Sequence, residues 1–286
     1  MDKATASDAL FLPDPADPTR FEATAYTGGP WNPTHQHGGA VSGLLTRAMN
    51  RAPAPVPMRL ARMTIEMFRG VPVARLRVET RVVRGGRRIQ SVEAGIFADD
   101  TLVARATGLR IRVDEALAEL GTPIPLDPAL GQPPDPVPER FRTLSGVTIP
   151  GFVHAVDIVT EGASVCGEPV NLWTRLRCPL VAGEAIDPVE RLATLVDFAS
   201  GTGNAMDYTR FTAINPDLSI HVLREPRSDW IGVRGVSLRS GDGIGQSAAW
   251  IHDLEGPVAR VQASLLLDRR ALTPPTDPGS ADAQNG

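Results

Sequence analysis

Two parts of this 286-residue chain repeat one another at a fixed distance, and that repeat limits the fold more than any other feature. The segment FRGVP, Phe68 to Pro72, has its counterpart in LREP, Leu223 to Pro226, which sets Arg69 and Arg224 155 positions apart. LVARATGLRI matches PVARVQASLL, and Arg105 and Arg260 again stand 155 apart. The turns at Gly86 and Gly241 keep the same spacing. The alternative is two unrelated sheets with similar turns, but a constant offset over four strands favours a duplicated unit.

Each unit shows the same order of elements. In the first, Phe21 to Thr27 reads as a short strand, and the loop GGPWNPTHQHGG leads into a helix over Gly38 to Asn50, with Val41, Leu44, Leu45 and Ala48 at helical spacing. Strands follow over Arg59–Arg69, Val73–Val83, Arg88–Phe97 and Leu102–Val113, with turns at Gly85-Gly86 and Asp99-Asp100. Residues 121–150 carry eight prolines and read as a linker. Beyond it, Gly151–Val159 and Asn171–Arg177 read as strands, then a helix, then strands over Phe211–Leu223, Trp230–Leu238, Gly245–His252 and Val258–Leu267. The expected organisation is a loosely held arm over 1–19, a repeat over 20–113, a Pro-rich linker over 114–149, a second repeat over 150–269 and a disordered tail over 270–286.

The second helix, within Asp187 to Met206, carries the chemistry. Asp187 suits the N-cap, Pro188 the first helical position and Glu190 the far side of a capping box. Leu192, Leu195, Val196 and Ala199 follow at helical spacing, and Gly201 and Gly203 end the run. From Leu192 to Met206 the one charged side chain is Asp197. A helix with almost no polar face has to be enclosed, and a curved antiparallel sheet wrapped round it encloses it. That is an α+β hot-dog arrangement, and two units in one chain make a double hot dog.

Composition excludes several classes. A formal charge of −4, with no long basic patch, points to no nucleic-acid partner. No run of 18 apolar residues suggests a membrane span, and the N-terminus has no basic region followed by an apolar run that would mark an export signal. Cys166 and Cys178 match no metal spacing, and two thiols in a chain this long suggest a reducing, cytoplasmic setting. His35 and His37 look like a metal pair but have no third ligand, so neither a metal nor a cofactor is expected.

The chain resembles the double hot-dog acyl-CoA thioesterases, the acyl-CoA thioesterase II family, over about residues 20 to 269. The resemblance rests on HGGAVSGLLTRA, WTRLRCPLVAGE, LVDFASG, INPDLSIHVLREP and ARVQASLL. It implies an acyl-CoA substrate, a homo-oligomer of double hot dogs, and a catalytic group of Asp197, Asn215 and Gln262. Asn215 stands where better-known members have Thr; its amide still offers hydrogen bonds to a water or a carboxylate.

Those residue types suit thioester hydrolysis. The carbonyl needs a water held in line and a base for its proton, and Asp197, its pKa raised by burial, would serve. Gln262 would orient the water. Gly38 and Gly39 would let a ligand approach the helix N-terminus, where backbone N–H groups offset developing charge. Trp31 and Trp230 would line the acyl cleft or the core. Asp217 and His221 share strand parity with Asn215 and suit the surface. At an offset of 150, Asp197 aligns with Arg47, so the first unit lacks the carboxylate and one site is expected. Two alternatives are a non-catalytic acyl-CoA or lipid-binding module and, through Asn32-Pro-Thr-His35, an enoyl-CoA hydratase-like enzyme.

Overall fold

A computed structural model describes residues 9–121, 130–133, 143–144, 147–148, 151–161 and 165–270. The elements in chain order are β1 (Phe11–Pro13), β2 (Arg20–Ala23), α1 (Gly38–Asn50), β3 (Met58–Met67), β4 (Arg75–Arg84), β5 (Ile89–Ala98) and β6 (Thr101–Arg112). A small ladder of β7 (Thr143–Leu144) and β8 (Val147–Thr148) precedes β9 (Val156–Glu161), β10 (Val170–Leu176), α2 (Pro188–Leu195), β11 (Phe211–Ile214), β12 (Asp217–Val222), β13 (Trp230–Arg239), β14 (Ile244–Asp253) and β15 (Gly256–Arg269).

Thirteen strands form one antiparallel sheet in the order β1-β2-β4-β5-β6-β3-β12-β15-β14-β13-β10-β9, with β11 also on β15. The two halves meet edge to edge where β3 pairs with β12. Register gives the duplication a physical form. Thr64 faces Thr107, Thr107 faces Glu93 and Glu93 faces Arg81; 155 residues on, Ser219 faces Gln262, Gln262 faces Ala248 and Ala248 faces Val236. At the junction Thr64 pairs with Ser219, its own counterpart, so a local two-fold axis passes through that pair. The fold is a double hot dog. The offset slips by two only at the far edge, where Arg77 faces Arg20 but Gly232 faces Trp173.

Both helices lie against this sheet. In α1 even Ser42, Gly43 and Thr46 are buried, as expected of an enclosed helix. Gly39 and Gly43 on α1 meet Thr194 on α2: a Cβ on either would collide with the Thr194 carbonyl or hydroxyl, so the helices approach closely only because these positions lack one. The capping box forms, with Asp187 accepting from the Val189 N–H and Glu190 from the Asp187 N–H. The second helix is shorter than its periodicity predicts. After Leu195 it tightens into a 3₁₀ turn over Val196–Ser200, capped by Gly201. Thr194 Oγ1 donates back to the Glu190 carbonyl at 2.7 Å, the type of bond that perturbs a helix at this point.

Three sequence expectations change. The strand over Phe211–Leu223 breaks into β11 and β12 at Asn215-Pro216, because proline has no N–H for the ladder; the Pro216 carbonyl instead accepts from Met67 N–H. Residues 151–155 form a 3₁₀ turn ahead of β9. The arm over 1–19 is not loose in its described part: Leu10 and Phe11 are fully buried and hydrogen-bond to Pro179 and Leu180 ahead of α2. Much of the expected linker, and the tail from 271, lie outside the described residues; within the linker, Leu130 packs on Val159 and Trp173, and Trp173 Nε1 donates to the Gly131 carbonyl.

Candidate active site

The two helices bring Asp197 and the loop before α1 to one corner. Asp197 lies in the first turn of the 3₁₀ segment that continues α2 and is 3% exposed. His37 is the N-cap of α1, held by its own N–H donating to the Thr27 carbonyl while Gln36 bonds to Val71 and Pro72. His37 Nδ1 lies 3.0 Å from Asp197 Oδ2, and Asn215 Nδ2 donates to Oδ1 at 2.8 Å. Asn215 is buried and reaches the corner because the chain kinks at Pro216, between β11 and β12. The His37 ring stacks on Phe152, with centroids 4.5 Å apart, and tilts against Phe198 at 5.2 Å.

The proton on His37 follows from its neighbours. Nδ1 is 3.1 Å from the Gly39 nitrogen as well, but one ring nitrogen cannot both accept from Gly39 and donate to a carboxylate. The Gly39 N–H also reaches Asp197. With Asp197 ionised, Nδ1–H donates to the carboxylate and Gly39 N–H serves the same carboxylate. Among the described residues His37 Nε2 takes no hydrogen bond, and the residue lines the cleft described below.

Burial acts to raise the Asp197 pKa, but the His37 hydrogen bond and attraction, the Asn215 amide and the Gly39 N–H together outweigh it and hold the carboxyl below its ordinary value. This corrects the expectation that burial would push Asp197 towards neutrality. The donors that decide the matter come from residues 37, 39 and 215, distant in sequence.

A cleft of about 240 Å³ opens beside the pair. Val153, Ile158, Val170, Leu172 and Phe198 make its wall largely apolar, and Trp31 lines it next to Tyr208, their rings 5.8 Å apart. An apolar wall with a few convergent polar groups is the usual build of a small-molecule site.

The sequence-derived residues divide. Asp197 and Asn215 meet, and Trp31 lines the cleft. Gly38 and Gly39 are at the corner for another reason than expected: a Cβ on Gly38 would sit 2.8 Å from both Asp197 carboxylate oxygens, so the glycines admit the carboxylate and α2. Gln262 is a correction. Its side chain is exposed, on the face of β15 opposite the buried Val261 and Ala263, so strand alternation turns it away from the core in which Asp197 lies. Trp230 is another: it packs on the Leu130–Val159–Trp173 cluster with the Arg175 guanidinium 4.6 Å from its ring centroid, and is not among the cleft residues. His221 is exposed, and Asp217 accepts from Ser264 N–H. His35 packs over Gly70, and the described residues contain no group of three or more His, Cys, Asp or Glu placed to hold a metal ion. His37 is the candidate site residue that sequence reasoning missed. Its signal was a histidine immediately before the Gly-Gly that opens α1.

Fold and family together define a two-unit hot-dog thioester hydrolase. Family profiles agree: the acyl-CoA thioesterase N-terminal domain matches residues 27–111 and the acyl-CoA thioesterase C-terminal domain residues 127–267. The chain belongs to the acyl-CoA thioesterase family. No curated protein matches it in sequence. Among solved structures, it is similar to a candidate thioesterase II from Thermobifida fusca YX, with 18% identity, 94% of this chain and 99% of that one covered, and a TM-score of 0.69. It is also similar to the acyl-CoA thioesterase II TesB2 from Mycobacterium marinum (15%, 94% and 98%, 0.65) and to a hot-dog protein of unknown function from Alicyclobacillus acidocaldarius (14%, 93% and 99%, 0.68). At these identities the likeness speaks for the fold. No helix among the described residues is long and apolar enough to cross a membrane.

Proposed function

We propose that the protein hydrolyses the thioester of a fatty or related acyl-CoA to the free acid and CoA, using the Asp197–His37 pair. The observation that carries this reading is a buried carboxylate, held ionised in the wall of an apolar cleft, with a histidine bonded to it through Nδ1. A carboxylate held below its ordinary pKa by three donors is a poor proton acceptor but a good anchor. Asp197 fixes the His37 tautomer and offsets the imidazolium charge, and Asn215 fixes Asp197. Nε2 takes a proton from water as its oxygen attacks the thioester carbonyl. Collapse of the tetrahedral adduct breaks the C–S bond, and the same proton goes to the departing sulfur. The N-terminus of α1 contributes a positive partial charge at this corner.

The setting that fits is cytoplasmic acyl-CoA metabolism, since both cysteines are free thiols. Two repeats, over about 20–113 and 150–269, would share the one site, and whole double hot dogs would pair further as a homo-oligomer. The test is release of free thiol from a panel of acyl-CoAs, followed with a thiol-reactive chromophore. Tight binding without thiol release would make the protein a binding module. Loss of crotonyl-CoA absorbance without thiol release would make it a hydratase.

A further inference from the structure

The cleft contains a polar group that hydrolysis of a plain fatty acyl chain does not use. Asn204 follows the glycine-rich turn after α2, lines the cleft and is 2% exposed. Neither its Oδ1 nor its Nδ2 has a hydrogen-bond partner among the described residues. Its backbone carbonyl is occupied, accepting from the Tyr208 hydroxyl at 3.3 Å, so it is the carboxamide alone that faces nothing. The great majority of buried side-chain polar atoms are paired, and leaving both ends of one amide unpaired is costly. A leucine of similar volume would suit an apolar wall without that cost.

The charges around Asn204 narrow what it could meet. Among the described residues the titratable groups that line the cleft are Asp197, His37 and Tyr208, and neither Lys nor Arg is in its wall. The arginines nearby act from behind the wall, Arg239 donating to the Ala205 carbonyl and Arg270 to those of Tyr208 and Pro30, so a carboxylate or phosphate on the acyl chain would meet no guanidinium among the lining side chains. Burial pushes the Tyr208 phenol up to about 12, so it stays neutral and adds no charge. A carboxamide presents one acceptor and one donor, and a hydroxyl is the smallest neutral group that offers both in return.

We propose that Asn204 is a specificity-determining residue that reads a hydroxyl on the acyl group, so that the preferred substrates are hydroxyacyl-CoAs. This rests on the hydrolase reading above. A site built to hydrogen-bond a substrate hydroxyl rejects the analogue lacking it far more strongly than an apolar pocket rejects a missing methylene.

The test compares saturated acyl-CoAs with hydroxyacyl-CoAs of equal length, the hydroxyl moved along the chain, for the wild-type protein and for Asn204→Leu. At one hydroxyl position the wild type should show kcat/KM at least about tenfold above the saturated partner, and Asn204→Leu should bring that ratio close to one. Equal wild-type rates on both members of every pair would overturn the proposal, and this arm needs no variant to fold. So would an Asn204→Leu protein that loses activity on both members by the same factor, since the amide would then serve the CoA arm or the fold. Failure of the hydrolase reading is distinguishable: no thiol would be released from any member, and both readings would fall together.

Discussion

The two helix corners of the molecule are related by the repeat and have diverged in what they hold. At an offset of 150, α1 over Gly38–Asn50 corresponds to α2 and its 3₁₀ extension over Pro188–Ser200, and the N-caps His37 and Asp187 correspond as well. At one corner Asp197 meets His37 beside an apolar cleft. At the other, the residue matching Asp197 is Arg47, which donates to both oxygens of Glu184, at 2.7 and 2.6 Å, while Arg51 adds a third bond at 2.8 Å. The first corner is thus a histidine–carboxylate contact at the edge of a cavity, and the second is a salt-bridge cluster between the same two segments. The duplication supplied two places where a helix end meets the N-terminus of the other helix. One of these corners is built from both halves, since Asp197 comes from the second and His37, Gly38 and Gly39 from the first.

The largest effect should come from Asp197→Asn. It removes the charge that fixes His37, and kcat should fall by about 10² to 10⁴ with KM nearly unchanged, measured by thiol release. The donors around the carboxylate also make this change destabilising. An ionised group favoured in the fold contributes stability that is present above its unfolded pKa and lost as pH falls through its lower folded pKa. The variant should therefore melt lower than wild type at neutral pH, and the gap should close only in strong acid.

His37→Gln should lower kcat by about 10² with KM nearly unchanged, because the group that accepts the proton of the attacking water has been removed. A kcat within about twofold of wild type would mean that His37 only positions Asp197.

Gly43→Ala tests the packing that joins the corners. A new Cβ would run into the Thr194 hydroxyl and close on Leu180, and overpacking of this sort costs about 1 to 3 kcal/mol, read as a lower Tm. The corresponding position on α2 is Ala193, so the close approach is asymmetric.

Glu184→Gln should break the second corner while sparing the first. The Arg47 guanidinium bonds and attraction, against some burial, hold the Glu184 carboxyl below its ordinary value, so its contribution is present above the unfolded pKa and is lost as pH falls through the folded one. A half-buried pair of this kind is worth about 1 kcal/mol. Activity should remain.

Gln262→Ala should change kcat by less than about twofold, as for other exposed positions. A large fall would return the residue to the chemistry.

Much of the fold is legible in the sequence because its signals are local or periodic. The offset between Arg105 and Arg260 survives as strand register, α1 runs over the residues that its apolar spacing selects, and Asp187-Pro188-Glu190 caps α2 as those side chains should. Asp197 stood out as a lone charge. What could not be read needed contacts across the chain. His37 reaches Asp197 over 160 positions, and the depressed Asp197 pKa depends on that contact. Gln262 sits in a motif that resembles the family's, but only alternation along β15 shows which face it takes. The strand β1, with buried Phe11 and the buried Leu10 just before it, carried no periodic signal, being three residues long.

The most direct test of the account is a double-mutant cycle on kcat with Asp197→Asn, His37→Gln and the two together. If the pair acts as one unit spanning the halves, the double variant should lose no more than the worse single variant. Losses that multiply, so that each residue costs as much in the absence of the other as in its presence, would contradict it.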